Sequence, residues 1–292
     1  MLSLRFLKRR KKALLGIEKV TRSMKMISAA KMRRAVERLN SFSKFSRELE
    51  SIFSSIILSE ENYRNPLLEE KGGERLIFVF TSDRGLCGSF NANIIHLAER
   101  EIKNEISKGH IPHLYLLGRK AIEYFTGARF KATGLKVEIV SSKKELLSPS
   151  LYPEDFYFIA DEVKNYFLTD FGRIDVVFSK FFSPLKQIPT IEPLLPLPVK
   201  GEREFVSFII EPSREVMDRL VELVYRTRFV KFAYETIASE QAARMAAMDN
   251  ASRNVSELIK KLTLQFNKAR QAAITKELLD IITGKSAVEK GS

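Results

Sequence analysis

The most constraining feature of this sequence is a stretch of 70 residues, from Arg214 to Thr283, that contains neither proline nor glycine. As one α-helix, rising 1.5 Å per residue, this stretch would be about 105 Å long. Helices of globular proteins average about 11–12 residues, so a compact domain does not need such an element. The sequence therefore predicts a long helix that spans, holds or turns within a larger structure.

Proline and glycine divide the chain into three parts. All ten prolines and ten of the thirteen glycines lie from Pro66 to Pro212, whereas residues 17–65 contain neither. The punctuated middle has the size of one domain, and a hydrophobic content of 45% is enough to give it a core. We therefore predict an N-terminal coiled-coil helix over 1–65, a central α/β domain over 66–212 and a C-terminal coiled-coil helix over 213–292.

Charge is also unevenly distributed. Residues 1–38 carry thirteen Lys or Arg against Glu18 and Glu37, which gives +11 of the chain's formal +13. Such a block indicates an anionic partner, whether nucleic acid, a membrane surface or an acidic protein face. The first twenty residues resemble a transit peptide, but the helical pattern continues through them without a cleavage-like break.

Cysteine and hydropathy narrow the class of protein. The single cysteine, Cys87, excludes an internal disulfide framework and is typical of a reducing compartment. No apolar run approaches 18 residues, so the sequence predicts no membrane span.

Both terminal segments show an apolar seam with steps of three and four residues. Such a seam predicts two antiparallel helices that bury each other as a coiled coil, with one skip after position 27. In the first segment it is formed by Ile17, Val20, Met24, Ile27, Met32, Ala35, Leu39, Phe42, Phe45, Leu49, Ile52 and Ile56. In the second it is formed by Met248, Ala251, Val255, Leu258, Leu262, Phe266, Ala269 and Ala273.

The middle segment alternates strand-like and helix-like runs, which is typical of an α/β layer built from crossovers. Strands are predicted over 75–82, 113–118, 135–140 and 174–182, and helices over 93–107, 120–125 and 155–168. From Pro184 to Pro198 the prolines predict an extended return without regular strand pairing. The predicted fold class is α/β, with a long antiparallel two-helix coiled coil and a central Rossmann-like domain.

The passage SDRGLCGSFN, residues 82–91, lies between a strand and a helix, where a glycine-bearing loop can bind phosphate. It lacks the lysine of a phosphate loop and the third glycine of a dinucleotide fingerprint. A tight turn capped by Ser89 or Asn91 explains the same residues. The histidines have no metal-ligand spacing, and Cys87 has no histidine tied to it, so we predict no catalytic residue, metal or cofactor.

Three separated blocks, taken together, resemble the gamma subunit of the F-type ATP synthase. They are VTRSMKMISAAKMRRA (20–35), SDRGLCGSFN (82–91) and the long segment 239–282, which begins SEQAARMAAMDNASRN. Their order and separations match that family almost from end to end. Between residues 92 and 238 the likeness is mainly in layout.

The resemblance implies a rotor shaft without catalytic residues of its own. In that family the two helices turn inside a ring of alpha and beta subunits, and the α/β domain contacts the epsilon subunit and the c-subunit ring. Ion flow through the ring drives ATP synthesis at the beta subunits. The resemblance also implies a peripheral protein on the cytoplasmic face of a bacterial inner membrane, with Cys87 in a structural turn and no thiol regulation.

Site residues follow from the same resemblance. Contacts with beta are expected from Arg22, Met24, Lys25, Arg270, Gln271 and Thr275. The apolar end of the last helix, expected to turn in a sleeve at the top of the ring, carries Leu278, Leu279, Ile281 and Ile282. The segment KRRKKALLGIEKV departs from the family pattern at Gly16 and Ile17, so no contact is assigned before Val20.

Two other functions remain open from the residues alone. A basic coiled-coil protein that binds nucleic acid or ribosomes through residues 1–38 would lose affinity steeply with salt. A nucleotide-binding enzyme built on the middle segment would bind ATP by itself. Neither explains the residue pattern of the C-terminal segment.

Overall fold

The computed structural model describes residues 4–60, 62–199 and 213–289. The helices are α1 (Leu4–Ser59), α2 (Phe90–Ser107), α3 (Arg119–Phe125), α4 (Ala128–Lys131), α5 (Tyr157–Thr169) and α6 (Arg214–Glu289), with a 3-10 turn at Pro153–Phe156. The strands are β1 (Glu74–Phe80), β2 (His113–Leu117), β3 (Glu138–Lys143), β4 (Phe171–Ser183) and β5 (Lys186–Leu195). The predicted fold class is confirmed, and none of the described helices has a segment both long and apolar enough to cross a membrane.

Packing divides the chain into two compact units. The first, here called the two-helix unit, comprises Met1–Ile27 and Ala247–Ser292, and the second, the sheet unit, comprises Ser28–Ala246. Helices α1 and α6 each contribute residues to both units. The boundaries predicted at residues 65 and 212 follow the order of segments along the chain rather than packing, and they stay a prediction.

The buried face of α1 differs from the predicted apolar seam. Its positions include an unbroken series with alternating steps of three and four, and small polar residues occupy several of them. The series is Leu14, Glu18, Thr21, Lys25, Ser28, Met32, Ala35, Leu39, Phe42, Ser46, Leu49 and Phe53. The predicted skip is therefore wrong. Ile17, Val20, Ile27, Phe45 and Ile52 lie about half exposed, because the side chains that face inward are chosen by helix geometry and not by hydrophobicity alone.

The seam of α6 is closer to the prediction. Met248 and Leu262 are buried, and Val255, Phe266 and Ala269 are half-buried. Leu258, however, is 47% exposed, and Ile259 lies at the half-buried position instead. The steps from Val255 to Ala269 then alternate regularly between four and three, which is the spacing of one continuous helix face.

The sheet unit is built on five strands in the order β3-β2-β1-β4-β5. The first four strands are parallel, and β5 is antiparallel to β4. Strand β1 is central, and its side chains alternate between two cores. On one face, Leu76, Phe78 and Phe80 pack with α5 and with parts of α1 and α6. On the other, Ile77 and Val79 pack with α2 and α3.

Within the sheet unit, α1 and α6 pack side by side and run antiparallel. The rings of Phe42 and Tyr234 meet edge to face with centroids 5.3 Å apart. Farther along α1, Glu50 lies 3.7 Å from Arg228, which is earlier in α6. Rising numbers on one helix therefore meet falling numbers on the other, as the sequence predicted.

The prediction of an unpaired return over 184–198 is wrong. Residues Lys186–Leu195 form β5, which pairs with β4 in a register that includes Ser179 opposite Pro189 and Asp175 opposite Pro193. These two prolines are tolerated because β5 is an edge strand, where a missing N–H need not interrupt a ladder on both sides. Strand β3 also begins three residues later than predicted, at Glu138.

Gly118 joins β2 to α3 at a point where the backbone of β1 passes very close. Its φ is +103°, and a Cβ atom at this position would lie 2.1 Å from the carbonyl oxygen of Thr81. Its own N–H donates to the carbonyl of Lys143 at 2.9 Å. Only glycine fits here, because a side chain is excluded both by the space and by the left-handed backbone.

The Gly118→Ala variant is therefore expected to lower the free energy of unfolding by about 2–3 kcal/mol, since both strain and a backbone shift oppose folding. Urea unfolding monitored by circular dichroism measures this. Gly85→Ala is the control, because a Cβ there meets nothing within 4 Å, and its effect should stay within about 0.5 kcal/mol. Equal stability of the two variants would contradict the assigned strain.

Candidate functional site

The SDRGLCGSFN loop follows β1 and is fastened by its own side chains. The Asn91 side chain accepts a hydrogen bond from the main-chain N–H of Ser82 at 2.9 Å and donates to the Ser82 hydroxyl at 2.8 Å. The Ser82 hydroxyl also reaches the carbonyl of Arg84 at 2.7 Å. Asn91 thus ties the end of β1 to the first turn of α2. Ser89 precedes the helix but makes no capping bond with its side chain, so only Asn91 matches the prediction.

Arg244 of α6 holds the same loop from outside. Its guanidinium donates to the main-chain carbonyls of Arg84 at 3.2 Å and Gly85 at 3.3 Å, and to the carboxylate of Glu240 at 2.6 Å. Both charged side chains are more than nine-tenths buried. Arg244 therefore neutralises Glu240 and satisfies two loop carbonyls at once, which is the condition for a buried charge to be tolerated.

This contact explains two of the three distinctive sequence blocks. The residues SEQAARM in α6 and DRGLCG after β1 meet at Arg244, although about 160 positions separate them. Cys87 lies inside the loop, 2% exposed, and burial raises the pKa of its thiol. The loop is thus packed as a structural turn, as predicted, and Cys87 has the environment of an inert thiol.

Asp83 has a different role from the loop pair that its neighbour Arg84 suggested. Its carboxylate accepts a hydrogen bond from the main-chain N–H of Arg119 at 2.9 Å. That N–H is at the start of α3, where the first amides of a helix lack partners in their own helix. Asp83 therefore caps α3 across the loop.

A cleft of about 930 Å³ opens beside the amino ends of β1 and β4. Its charged lining is internally paired: Arg75 bonds the buried Asp175 at 2.5 Å and Glu105 at 2.9 Å. Burial opposes ionisation of Glu105, but hydrogen bonds from Lys108, Arg75 and His110 outweigh it and lower its pKa to about 2. A carboxylate held ionised in this way stabilises structure and is a poor general base near neutral pH.

The predicted contact residues of α1 lie in the two-helix unit and are not equivalent. Lys25 donates to Asp249 of α6 at 2.5 Å, and this bond is the main cause of the lowered pKa of Asp249. Met24 is half-buried, whereas the Arg22 side chain is 67% exposed and only 3.7 Å from Glu18 at its nearest. Of the three, Arg22 is the side chain most available to a partner, and Lys25 already links the two helices.

The predicted contact residues of α6 form an exposed helix end. Arg270, Gln271 and Thr275 are all exposed, and the Thr275 hydroxyl donates to the carbonyl of Gln271 at 3.0 Å within the helix. The apolar residues that follow are also exposed, by 56 to 68%. They are Leu278, Leu279, Ile281 and Ile282. Exposed apolar residues in such a group indicate an interaction surface.

The structure adds exposed apolar residues that the sequence had assigned to the helix seam. Ile17, Val20 and Ile27 lie about half exposed on α1, and Leu258 does so on α6. The signal that could have found them is the second series of three-and-four steps, through Thr21, Ser28 and Ser46. It was missed because the seam was read from apolar residues only.

A family model described as ATP synthase matches residues 3–288 of this chain. The ATP synthase gamma chain of Desulforamulus reducens is 37% identical, and that of Geobacter metallireducens is 35% identical. Each alignment covers 99% of this chain and 100% of the relative.

The chain belongs to the ATP synthase gamma chain family. A solved chain in the Euglena gracilis mitochondrial ATP synthase, in an OSCP/F1/c-ring structure, has the same fold, with a TM-score of 0.71 and 17% identity. That alignment covers 99% of this chain and 95% of the Euglena chain. The family predicted from the three sequence blocks is confirmed, and with it a central-stalk subunit of F-type ATP synthase. The nucleic-acid-binding alternative is not favoured by the gamma chain match.

Proposed function

We propose that this gamma chain is the rotating shaft that carries energy from an ion-driven c-subunit ring to catalytic sites on beta subunits. In this proposal the two-helix unit lies inside a ring of alpha and beta subunits, and the sheet unit contacts the epsilon subunit and the c ring. The chain itself contributes no catalytic residue. It lies on the cytoplasmic face of a bacterial inner membrane, attached through the complex.

The observation that carries the proposal is the uncovered end of α6. From Ile274 to Ile282 every described side chain of this helix is exposed, and five of them are large and apolar. A helix whose end makes no tertiary contact gains little stability in water, because most helical stability in proteins comes from packing. An enclosing sleeve of other subunits would bury these apolar side chains, and its inner wall would meet the polar stripe at Arg270, Gln271 and Thr275.

Rotation acts on catalysis only if the shaft presents different contacts in different orientations, since a ligand with equal affinity for two states shifts neither. The exposed faces of the two-helix unit differ accordingly. Around Arg22, α1 exposes basic side chains, whereas the end of α6 exposes an apolar group after one polar stripe. Each charge that crosses a 100 mV potential supplies about 2.3 kcal/mol, so several translocations act through this asymmetry for each ATP.

Reconstitution is the direct test. The chain is mixed with alpha and beta subunits of the same organism, and we expect a complex of about three alpha, three beta and one gamma that hydrolyses ATP. Native mass spectrometry gives the composition. Failure of the folded chain to join any such complex would refute the shaft proposal.

The contact residues are tested inside that complex. Replacing both Arg270 and Gln271 by alanine should lower steady-state ATP hydrolysis on the order of tenfold, since a hydrogen bond to a charged group contributes about 1.5–3 kcal/mol. Arg100→Ala with Asn104→Ala removes the same two kinds of side chain from the exposed face of α2 and should leave the rate unchanged. Equal rates for the two double variants, with equal assembly, would remove Arg270 and Gln271 from the site.

A further inference from the structure

Glu235 of α6 is a carboxylic acid in an apolar position. It is only 7% exposed, and within the described part of the chain its Oε2 atom has no hydrogen-bond partner. The main-chain N–H of Phe181 in β4 supplies a hydrogen bond to the carboxyl group. A buried ionised carboxylate needs more than one donor, so the geometry suits the protonated acid better than the carboxylate.

Charged groups from four elements surround this carboxyl group. They are Lys231 and Arg228 on α6, Lys180 on β4, Glu192 on β5 and Glu50 on α1. The contacts among them are direct. Lys180 bonds Glu192 at 2.8 Å, and Arg228 lies 3.6 Å from Glu192 and 3.7 Å from Glu50.

The cluster is balanced only when Glu235 is ionised. Three cations face Glu50 and Glu192, so a protonated Glu235 leaves one positive charge in excess, and an ionised one removes it. Ionisation has a structural cost, because Lys180 is already committed to Glu192 across the β4–β5 pair. Burial is the larger effect and raises the pKa of Glu235 to about 7, against the opposing attraction of Lys180 and Lys231.

We propose that Glu235 makes the packing of the β4–β5 hairpin against α6 sensitive to protons. With the acid protonated, Lys180 holds Glu192 and the hairpin is closed against the helix. With the acid ionised, Glu235 competes for Lys180 and admits water, so the hairpin opens more often. The result is a conformational device near neutral pH in a domain that has no catalytic group of its own to titrate.

The sign follows from linkage. The pKa of Glu235 in the folded chain, about 7, lies above its ordinary value of 4.5. The closed state therefore binds a proton more tightly than the open state. Its stabilisation is complete below about pH 4.5 and is lost as the pH rises through about 7.

Hydrogen exchange of the full-length chain tests the proposal. After correction for intrinsic exchange, protection of amides in residues 171–195 should fall about tenfold between pH 6 and pH 8. Glu235→Gln keeps the shape but cannot ionise, and its protection should not change over that range. Glu48→Gln removes an exposed carboxylate from α1 and should behave like the unaltered chain. A tenfold fall that persists in Glu235→Gln, or no fall in the unaltered chain, would overturn the proposal.

A second measurement covers the case in which Glu235→Gln folds poorly. The carboxyl group of Glu235 can be titrated in the unaltered chain by carbon NMR of labelled glutamate, and a midpoint near pH 7 is expected. Lys180→Met removes a cation that favours ionisation, so the midpoint should move to higher pH. A midpoint near 4.5 in the unaltered chain would rule out the device.

Discussion

The Arg244→Ala variant should lower the free energy of unfolding by about 3–5 kcal/mol, because it removes one partner of a buried ion pair. Glu240 would stay buried without its cation, and the carbonyls of Arg84 and Gly85 would lose a donor. Chemical denaturation of the full-length chain gives the stability. Labelling of Cys87 gives an independent local measurement, and it should become faster because the loop that encloses this thiol is released.

Arg219→Ala is the matched control for this substitution. Arg219 also pairs with a glutamate four residues earlier in α6, Glu215, at 2.7 Å, but both side chains are more than 70% exposed. An exposed pair of this spacing contributes only about 0.3–0.5 kcal/mol. If the two variants lost similar stability, or if Cys87 were labelled no faster in Arg244→Ala, the role assigned to Arg244 would be wrong.

Phe78→Ala is expected to have an effect of similar size for a different reason. Phe78 lies fully buried in β1, stacked on Tyr115 with ring centroids 4.6 Å apart and edge-on to Phe229 of α6 at 5.4 Å. Truncation leaves a cavity at the contact between sheet and helix, and such substitutions cost about 3–5 kcal/mol. Urea unfolding followed by circular dichroism measures the loss.

The control for Phe78→Ala is Phe182→Ala, near the turn of the β4–β5 hairpin. Phe182 is 54% exposed, and Lys186 lies 5.6 Å from its ring centre. Its removal should cost under about 1 kcal/mol, since an exposed cation–π contact is weak. A cost for Phe78→Ala below that of the control would show that the sheet does not depend on this aromatic contact.

Much of the fold was predictable from local sequence. Strand β1 was recognisable because Arg75–Ser82 is a continuous apolar run, which is typical of a strand buried on both faces. The long helices followed from the absence of glycine and proline. Strand β5 could not be predicted in this way, because its prolines are compatible with pairing only at a sheet edge, and edge position is a property of the whole sheet.

The candidate site was predictable in part. Arg270, Gln271 and the apolar end of α6 were singled out from the sequence, and their exposure leaves them available as predicted, although no contact has been tested. Lys25 was singled out for a partner subunit, yet it bonds Asp249 in its own unit. The difference arises because spacing along one helix does not reveal which charge lies opposite on another.

The sequence alone determined the extent of the breaker-free helix from Arg214, the central α/β domain and the family, because propensity, periodicity and the three residue blocks are written along the chain. The tertiary structure decided which faces are buried, including Thr21 and Ser28 on α1, and it brought Arg244 to the loop after β1. It also placed Glu235 among charges from four elements. Burial of a polar side chain depends on the partners that distant segments supply, and those partners exist only once the chain has folded.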